Sequence, residues 1–582
     1  MPNLGVVTTN KARCRDCYRC VRVCPVKAIR ISDGQAQVYR ERCIVCGTCV
    51  RECPQKAKQV RSDLSLVKEL RAGHCLLIAS VAPSYVAAFP NLGGGLFPAF
   101  LKRLGFDMVT ETAVGAEMVA AATARLVADE PESHIASACP VIVSLIAQYY
   151  PWAIEKLAPL VSPMIAHGRY LKRIYGEDAQ VVFIGPCPAK KAEAEEPDVL
   201  GAVDAVLTFN ELRLWMEESG IRKDTLRSCV FDDIPAASAR LFPLEGGLAR
   251  AASMAPDMLR QDFAAVSGCD EVHEMLKTLK DGSTIRLFEA LFCPSGCING
   301  ASFGDGRDIY HRKNRILQHE KRSPRPPSAE TFLQASSGVE LGRTIIPRPV
   351  EQPQYTPEEV RAVLIRIGKR TEEDELNCGA CGYHSCKDNA IALLSGMAED
   401  AMCIPWMRKL AERKADQIID ASPNAIVIID EGLRVYEFNP AFAQIFSCTP
   451  GLVGKPLSCI MDPEDFEKVL ARAVDRVTNK LVSYPNYHVS GSLNVYRLED
   501  EDLVVGIISN VNKSTEGLNR LDQIRAETLA NAEQVIGKQM LMAQEIASIL
   551  GETTSETRVL LRKLTELMKE SDTPAADVPT EP

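Results

Sequence analysis

Eight cysteines within the first 53 residues fall in two runs of identical spacing, Cys14-x2-Cys17-x2-Cys20-x3-Cys24-Pro25 and Cys43-x2-Cys46-x2-Cys49-x3-Cys53-Pro54, offset by 29 residues. So dense a set must be either cross-linked or bound to metal, and the rest of the chain favours metal. The total of 21 cysteines is odd. The start, MPNLGVVTTNKARC, has no apolar signal segment, so a cytoplasmic protein with reduced thiols is expected. Four thiolates per site, twice over, read as two metal centres. A zinc ribbon competes, yet zinc gives no reason for a doubled x2-x2-x3-Pro run.

The doubled run resembles the bacterial two-cluster ferredoxins, in which three close thiolates bind one 4Fe-4S cluster and the fourth of each run crosses to the other. The resemblance implies one cluster on Cys14, Cys17, Cys20 and Cys53 and a second on Cys43, Cys46, Cys49 and Cys24. Residues 1–60 carry 12 Lys/Arg against 4 Asp/Glu, although the whole chain has net charge -9. Arg13, Arg15, Arg19, Arg22, Arg42 and Arg51 lie among the ligands. They are read three ways: as counter-charge raising the cluster potentials, as a docking face for an acidic electron carrier, or as simple solvation. The acidic balance elsewhere argues against nucleic-acid binding, and no stretch is apolar enough to span a membrane.

A second compact set is Cys378, Cys381, Cys386 and Cys403, with the last placed at the far end of a helix expected over about 387–402. It resembles the small iron-sulfur module of redox and sensory proteins. A further 4Fe-4S cluster is expected, with zinc as the open alternative, since spacing alone does not fix the metal.

Between the sets, Cys139, Cys187, Cys293 and Cys297 lie in distinctive loops, whereas Cys75, Cys229 and Cys269 read as ordinary scattered cysteines. In Ser137-Ala138-Cys139-Pro140, Pro140 suits the first position of an apolar helix reaching Tyr149, which puts Cys139 at its positive end. Gly185-Pro186-Cys187-Pro188-Ala189-Lys190-Lys191 follows a buried strand, and Phe292-Cys293-Pro294-Ser295-Gly296-Cys297 is a glycine-containing loop that permits close backbone approach.

These loops resemble the signature segments of the iron-only (FeFe) hydrogenases over about residues 70–302. Val81-Ala82-Pro83-Ser84, Val206-Leu207-Thr208-x2-Glu211-Leu212, Glu245-Gly246-Gly247-Leu248 and Glu289-x3-Cys293 support the likeness. It implies that Cys139, Cys187, Cys293 and Cys297 hold the 4Fe-4S half of an H-cluster. Cys297 would bridge to a two-iron unit carrying carbonyl, cyanide and a dithiolate. Lys190 and Ser84 would hydrogen-bond the cyanides, and Pro83, Pro186 and Gly296 would lie against the cofactor. In highly active members a proton-relaying cysteine precedes the first ligand; here it is Ala138, whose methyl moves no proton. Gly185 and Leu291 replace methionines of active relatives, and Met118-Val119-Ala120 occupies a stretch where relay glutamates are expected.

Residues 305–357 contain Arg312, Lys313, Arg315, Lys321, Arg322 and Arg325 and seven prolines from Pro324 on, which predicts an extended segment wrapping the preceding domain. Residues 413–515 resemble a PAS sensor domain, with strands at about 425–429, 433–438 and 503–511 and a helix opened by Asn439-Pro440-Ala441-Phe442. Cys448, Cys459 and His488 could ligate a group there but read more simply as packing or surface residues. Residues 513–570 have the periodicity of a long amphipathic helix, which suggests homodimerisation or docking of a partner.

A 46% hydrophobic and 25% charged composition over 582 residues suits a globular chain of about three to five domains. The expected multidomain α/β and α+β architecture is a two-cluster ferredoxin domain (1–62), an α/β catalytic domain (63–345), a linker with a small helical iron-sulfur module (346–412), an α+β PAS domain (413–515), a coupling helix (516–570) and a disordered tail (571–582). The whole resembles the sensory branch of iron-only hydrogenases. That implies slow, reversible splitting of H2 and relay of redox state to a separate output protein such as a kinase or phosphatase. A metabolic hydrogenase coupled to ferredoxin and a non-catalytic iron-sulfur assembly or scaffold protein are the alternatives.

Overall fold

The computed structural model describes residues 5–93, 95–254, 262–304, 308–325, 337–351, 353–498 and 503–510. The expected helix over 513–570 and the tail lie outside these residues. Two compact units divide the chain at 400/401.

The first unit begins with the cysteine-rich segment. Strand Val7–Thr9 pairs antiparallel with Lys58–Val60, and Ile29–Ser32 with Gln35–Val38, each run adding one short helix, Arg19–Arg22 or Thr48–Arg51. Left-handed backbone recurs at the sequence offset: Asp16 and Val45, Tyr18 and Gly47, Lys27 and Lys56. For a β-branched valine this conformation is strained, so local preference alone does not set these loops.

The central domain rests on two parallel sheets. One has the order Met108–Glu111, Leu77–Val81, Gln180–Gly185, Ala205–Thr208; the other has Phe263–Ser267, Leu287–Leu291, His134–Ile135. Strand Leu77–Val81 is buried at every position, as expected where helices cover both faces. Parallel pairing puts the carboxyl ends of neighbouring strands on one edge. Ala82-Pro83-Ser84, Thr112, Pro186-Cys187 and Phe292-Cys293 therefore emerge together.

Residues 305–357 are not extended throughout. Helix Ile309–Arg322 forms because Asp308 caps it, accepting from the Tyr310 and His311 amides, and because the prolines begin only at Pro324. The wrapping does occur further on: Arg343 N–H donates to Pro159 O, Arg348 N–H to Ala147 O and Val350 N–H to Gln148 O. The helix after Cys386 stops at Leu394, short of 402, since Gly396 turns left-handed (φ 66°) and its N–H bonds back to Leu393 O.

In the second unit, helix Ile404–Ala421 leads into an antiparallel sheet of order Val435–Phe438, Ala425–Ile429, Leu503–Asn510, Val489–Leu498, Arg476–Tyr484. Phe442, Phe446 and Phe466 pack on its inner face. Asn439 is the joint: its Oδ1 accepts from the Phe442 and Ile426 amides, while Nδ2 donates to the carbonyls of Ile419 and Asn424. One buried amide thus fastens the helix end to the sheet.

Candidate metal and hydrogen site

Seven chain segments meet at one mostly apolar cavity of about 110 Å³, whose wall includes Pro83, Ser84, Ala138, Cys139, Pro186, Cys187, Lys190, Leu291, Cys293 and Cys297. Cys139 caps helix Pro140–Tyr149 with Pro140 in its first turn, and Cys187 follows strand Gln180–Gly185. Gly296 does not line the cavity but makes the last loop possible. Its φ is 87°, and a Cβ there would lie 2.3 Å from Pro243 O. The same close approach lets Cys297 N–H donate to Pro243 O at 2.8 Å.

The four thiols are mutual electrostatic neighbours. Burial pushes Cys187 up to about 12 and raises Cys293 and Cys297 further, with the neighbouring thiols adding to the rise. Without metal these three are neutral thiols at pH 7. A cation binding there must displace their protons.

Besides the thiols, Ser84, Thr112 and Lys190 interrupt the apolar wall. Ser84 Oγ is buried and has no hydrogen-bond partner among the described residues, which fits a bound group with an acceptor on that side. Lys190 Nζ donates to Glu193 Oε2 and to Ser162 Oγ, each at 2.7 Å, with Ala138 O at 3.5 Å. Its charge is therefore already balanced by Glu193, a residue that sequence reasoning did not single out. Glu193 in turn meets Arg343 at 3.3 Å, so the wrapping segment closes the network.

Several family-motif residues act on the backbone around this cavity. Thr208 and Glu211 form a capping box, and Glu211 also pairs with the fully buried Lys191. Glu289 accepts from the amides of Leu248 and Ala249, fixing the helix Gly247–Ala251 beside the cavity. Gly185 does not line the cavity; a Cβ there would strike the Phe183 ring at 2.5 Å. Met118, Val119 and Ala120 are buried on helix Ala113–Asp129, and Ala138 faces the cavity without a titratable group.

In the N-terminal domain the thiols group in the crossed sets. Cys20 neighbours Cys14, Cys17 and Cys53, whereas Cys24 neighbours Cys43 and Cys46. Burial raises both Cys20 and Cys24 to about 12. The buried cation among them is Lys58, 4% exposed, donating to Thr9 Oγ1 and Ala36 O. Of the expected arginines, Arg19 and Arg51 pair with Glu52 at the surface, whereas Arg22 donates to Cys17 O at 3.0 Å. The alternating strand pattern at Lys58 was the signal that could have found it.

The two thiol-rich regions touch. Cys46 is an electrostatic neighbour of Cys293, and a Cβ on Gly47 would lie 2.5 Å from Ala301 Cβ and 2.9 Å from Pro188 Cγ. The loop bearing Cys378, Cys381 and Cys386 lies against the N-terminal domain. Arg22 bridges Ala380 O and Cys17 O, and Lys27 donates to Gly382 O at 2.8 Å. Asn377 Oδ1 accepts from the Cys386 amide, closing that loop. Cys403 opens helix Ile404–Ala421 of the second unit. There, Cys448 is half-buried, Cys459 exposed, and His488 sits in a left-handed turn.

Comparison with known proteins agrees with this organisation. The family model for the iron only hydrogenase large subunit, C-terminal domain, matches residues 76–301, and a 4Fe-4S dicluster domain matches 6–54. An Fe-S cluster segment matches 374–405 and a PAS domain 414–480. The NADP-reducing hydrogenase subunit HndD of Solidesulfovibrio fructosivorans is 27% identical over 368 residues, 52% of this chain and 57% of that protein. The cytosolic Fe-S cluster assembly factor NAR1 of Scheffersomyces stipitis is 25% identical over 158 residues, 24% of this chain and 29% of that protein. The chain thus spans little more than half of the first relative and less of the second. Among solved structures, the FeFe-hydrogenase HydA1 from Chlamydomonas reinhardtii is 16% identical, with 50% of this chain and 100% of that one covered at a TM-score of 0.40. The chain is a hydrogenase-like iron-sulfur protein with a PAS domain. No helix among the described residues is long and apolar enough to cross a membrane.

Proposed function

We propose that this chain splits molecular hydrogen slowly and reversibly and passes the resulting redox state to a separate output protein, with the PAS domain as intermediary. The observation that carries this reading is the convergence of Cys139, Cys187, Cys293 and Cys297 on an apolar cavity whose wall also includes Lys190 and the unpartnered Ser84 hydroxyl. A bound H-cluster would supply the open metal position at which H2 is cleaved into protons and electrons.

The protein's own residues do the rest. The thiolates of Cys139, Cys187, Cys293 and Cys297 would hold the iron-sulfur part of that cofactor. Ser84 and Lys190 would orient its anionic ligands by hydrogen bonds, which gain strength in a dry cavity. Pro83, Pro186 and Leu291 exclude water. Ala138 supplies no acid or base, which keeps turnover low. Cys24, Cys43, Cys46 and Cys49, whose Cys46 neighbours Cys293, and Cys14, Cys17, Cys20 and Cys53 would hold two clusters that supply a route for electrons to an external carrier such as ferredoxin. The third ligand set, Cys378, Cys381, Cys386 and Cys403, is proposed from its spacing for a further 4Fe-4S cluster.

The test is infrared spectroscopy of the matured full chain. Bands of metal-bound carbonyl and cyanide with slow hydrogen oxidation support the proposal. Bands with fast turnover favour a metabolic enzyme, and absence of bands would leave a scaffold, the reading favoured by the likeness to an Fe-S cluster assembly factor.

A further inference from the structure

A file of buried polar side chains leads away from the cavity on a side that none of the thiols occupies. Thr112 stands in the cavity wall, and its hydroxyl shares a 2.8 Å hydrogen bond with Ser80 Oγ. Ser80 Oγ shares another 2.8 Å bond with His167 Nδ1. On the other side of the ring, His167 Nε2 faces Asp233 Oδ2 at 3.5 Å. Asp233 lines a second cavity of about 960 Å³, walled also by Glu111, Arg240 and His319. Four consecutive side chains therefore cross the protein between one cavity and the other.

The fold invests in this arrangement. Ser80 and His167 have no exposed surface and Thr112 is 3% exposed, so water cannot reach the middle of the file. Ser80 lies inside the fully buried strand Leu77–Val81, where an apolar residue would be expected. His167 sits on helix Pro163–Tyr175, which approaches helix Ala113–Asp129 at Gly115. A Cβ on Gly115 would come within 2.7 Å of His167 Cβ and 2.5 Å of Pro163 O, so the missing side chain sets the ring's depth. Asp233 Oδ1 accepts from the Tyr170 hydroxyl at 3.0 Å and from Ile234 N–H at 2.7 Å. Its other oxygen, like His167 Nε2, has no hydrogen-bond partner among the described residues. Two buried polar atoms 3.5 Å apart, each without a hydrogen-bond partner among the described residues, are unusual in a purely structural network.

We propose that Thr112, Ser80, His167 and Asp233 form a proton relay between the cofactor cavity and the larger cavity, serving where Ala138 leaves no thiol. The inference rests on the hydrogen-splitting reading. A proton arriving at Thr112 Oγ1 sends the Thr112 proton to Ser80 Oγ and the Ser80 proton to His167 Nδ1. The proton on His167 Nε2 then passes to Asp233 Oδ2. Only O–H and N–H bonds form and break; one proton enters at Thr112, and one leaves Asp233 for water in the larger cavity. Reorientation of the two hydroxyls and a tautomer change of the ring reset the file. A ring that must change tautomer each cycle passes protons more slowly than a thiol directly beside the cofactor.

The test uses the full chain with Thr112→Val, Thr112→Ser and Asp233→Asn. In the unmatured protein, selective 15N-histidine NMR should show His167 resting with its proton on Nε2, towards Asp233, and Nδ1 free to accept from Ser80. A ring resting with its proton on Nδ1 could not start the relay and would overturn it. In the matured protein, infrared bands of carbonyl and cyanide report the cofactor and H2/D2O exchange reports proton delivery. Retained bands with exchange at least tenfold slower in Thr112→Val and Asp233→Asn, and at least half of the lost rate regained in Thr112→Ser, are the expected result. Retained bands with unchanged exchange would also overturn it. If the wild type shows no such bands, the hydrogen reading fails, and the nitrogen spectra alone decide whether the buried file is set to pass protons.

Discussion

The Lys190 and Glu193 pair gives the sharpest test of how the cavity is held together. The two groups lie 2.7 Å apart with side chains 11% and 1% exposed. At an effective dielectric of about 20 the bare attraction is roughly 6 kcal/mol, most of it offset by desolvation of both ions. What matters is what each single change leaves behind. Lys190→Met leaves Glu193 facing Arg343 at 3.3 Å and the Ser162 hydroxyl at 3.1 Å, so the loss should be that of one charged hydrogen bond, about 2 kcal/mol. Glu193→Gln instead leaves a buried ammonium with no carboxylate on it, and the cost should approach about 4 kcal/mol. Arg343 keeps Glu196 and Asp198 in that variant, so it adds little. The double variant should cost less than the sum, with a coupling of about 1–3 kcal/mol. A multidomain chain does not unfold in one step, so the assay is native-state hydrogen exchange of strand Gln180–Gly185 in the unmatured protein. There the expected gap of about 2 kcal/mol is roughly a thirtyfold difference in protection. If Lys190→Met costs as much as Glu193→Gln or more, Arg343 does not support Glu193, and the account of the network is wrong.

Three other outcomes are expected. Ala138→Cys, which puts a thiol on the cavity wall, should raise hydrogen turnover of the matured chain by at least tenfold if proton transfer is limiting; an unchanged rate would remove that explanation of slowness. Arg240→Met should destabilise the central domain by about 3–5 kcal/mol at pH 7, because Glu111 and Arg240 are each 3% exposed on their side chains and doubly bonded. Burial alone would raise the Glu111 carboxyl, but His319 at 3.7 Å and the Arg240 fork outweigh it and hold it below its ordinary value. The pair's contribution is therefore present above the usual carboxylate range and is lost as pH falls through the lowered value, so the deficit measured by hydrogen exchange should shrink towards pH 4. Iron and sulfide loading of the unmatured chain should release protons and proceed less completely at pH 6 than at pH 8, since burial holds Cys20, Cys24 and Cys187 near 12; a titration without proton release would place the iron elsewhere.

The thiol sets were legible in the sequence because ligand spacing is a local property: Cys14 to Cys24 and Cys43 to Cys53 encode their loops directly. The convergence of Cys139, Cys187 and Cys293 was legible only through the family likeness, since nothing at those positions states that parallel strands end on one edge. What stayed hidden was pairwise. Glu193 matters because Arg343, 150 positions later, reaches it, and Lys58 matters because a hairpin buries it against Ala36. Residues 305–357 read as extended because their prolines were averaged over the whole segment, although none lies within Ile309–Arg322. His167 carries no motif at all; only the missing Cβ of Gly115 brings it to Ser80.

The second unit suggests how a redox event at Cys403 would be felt in the sheet. Cys403 precedes a helix of 18 residues, a rod of about 27 Å, whose last turn is gripped by Asn439 through Ile419 O while the same side chain holds Ile426 N–H of the sheet. A rigid rod fastened at one end transmits displacement of the other, whereas a broken rod does not. Ala415→Pro interrupts the helix at mid-length, at a local cost of about 3 kcal/mol, and touches neither Cys403 nor Asn439. Hydrogen exchange of strand Ala425–Ile429 should differ between the oxidised and reduced wild-type chain and cease to differ in the variant, with iron content unchanged. A redox difference that survives the proline would mean the signal does not travel through the rod.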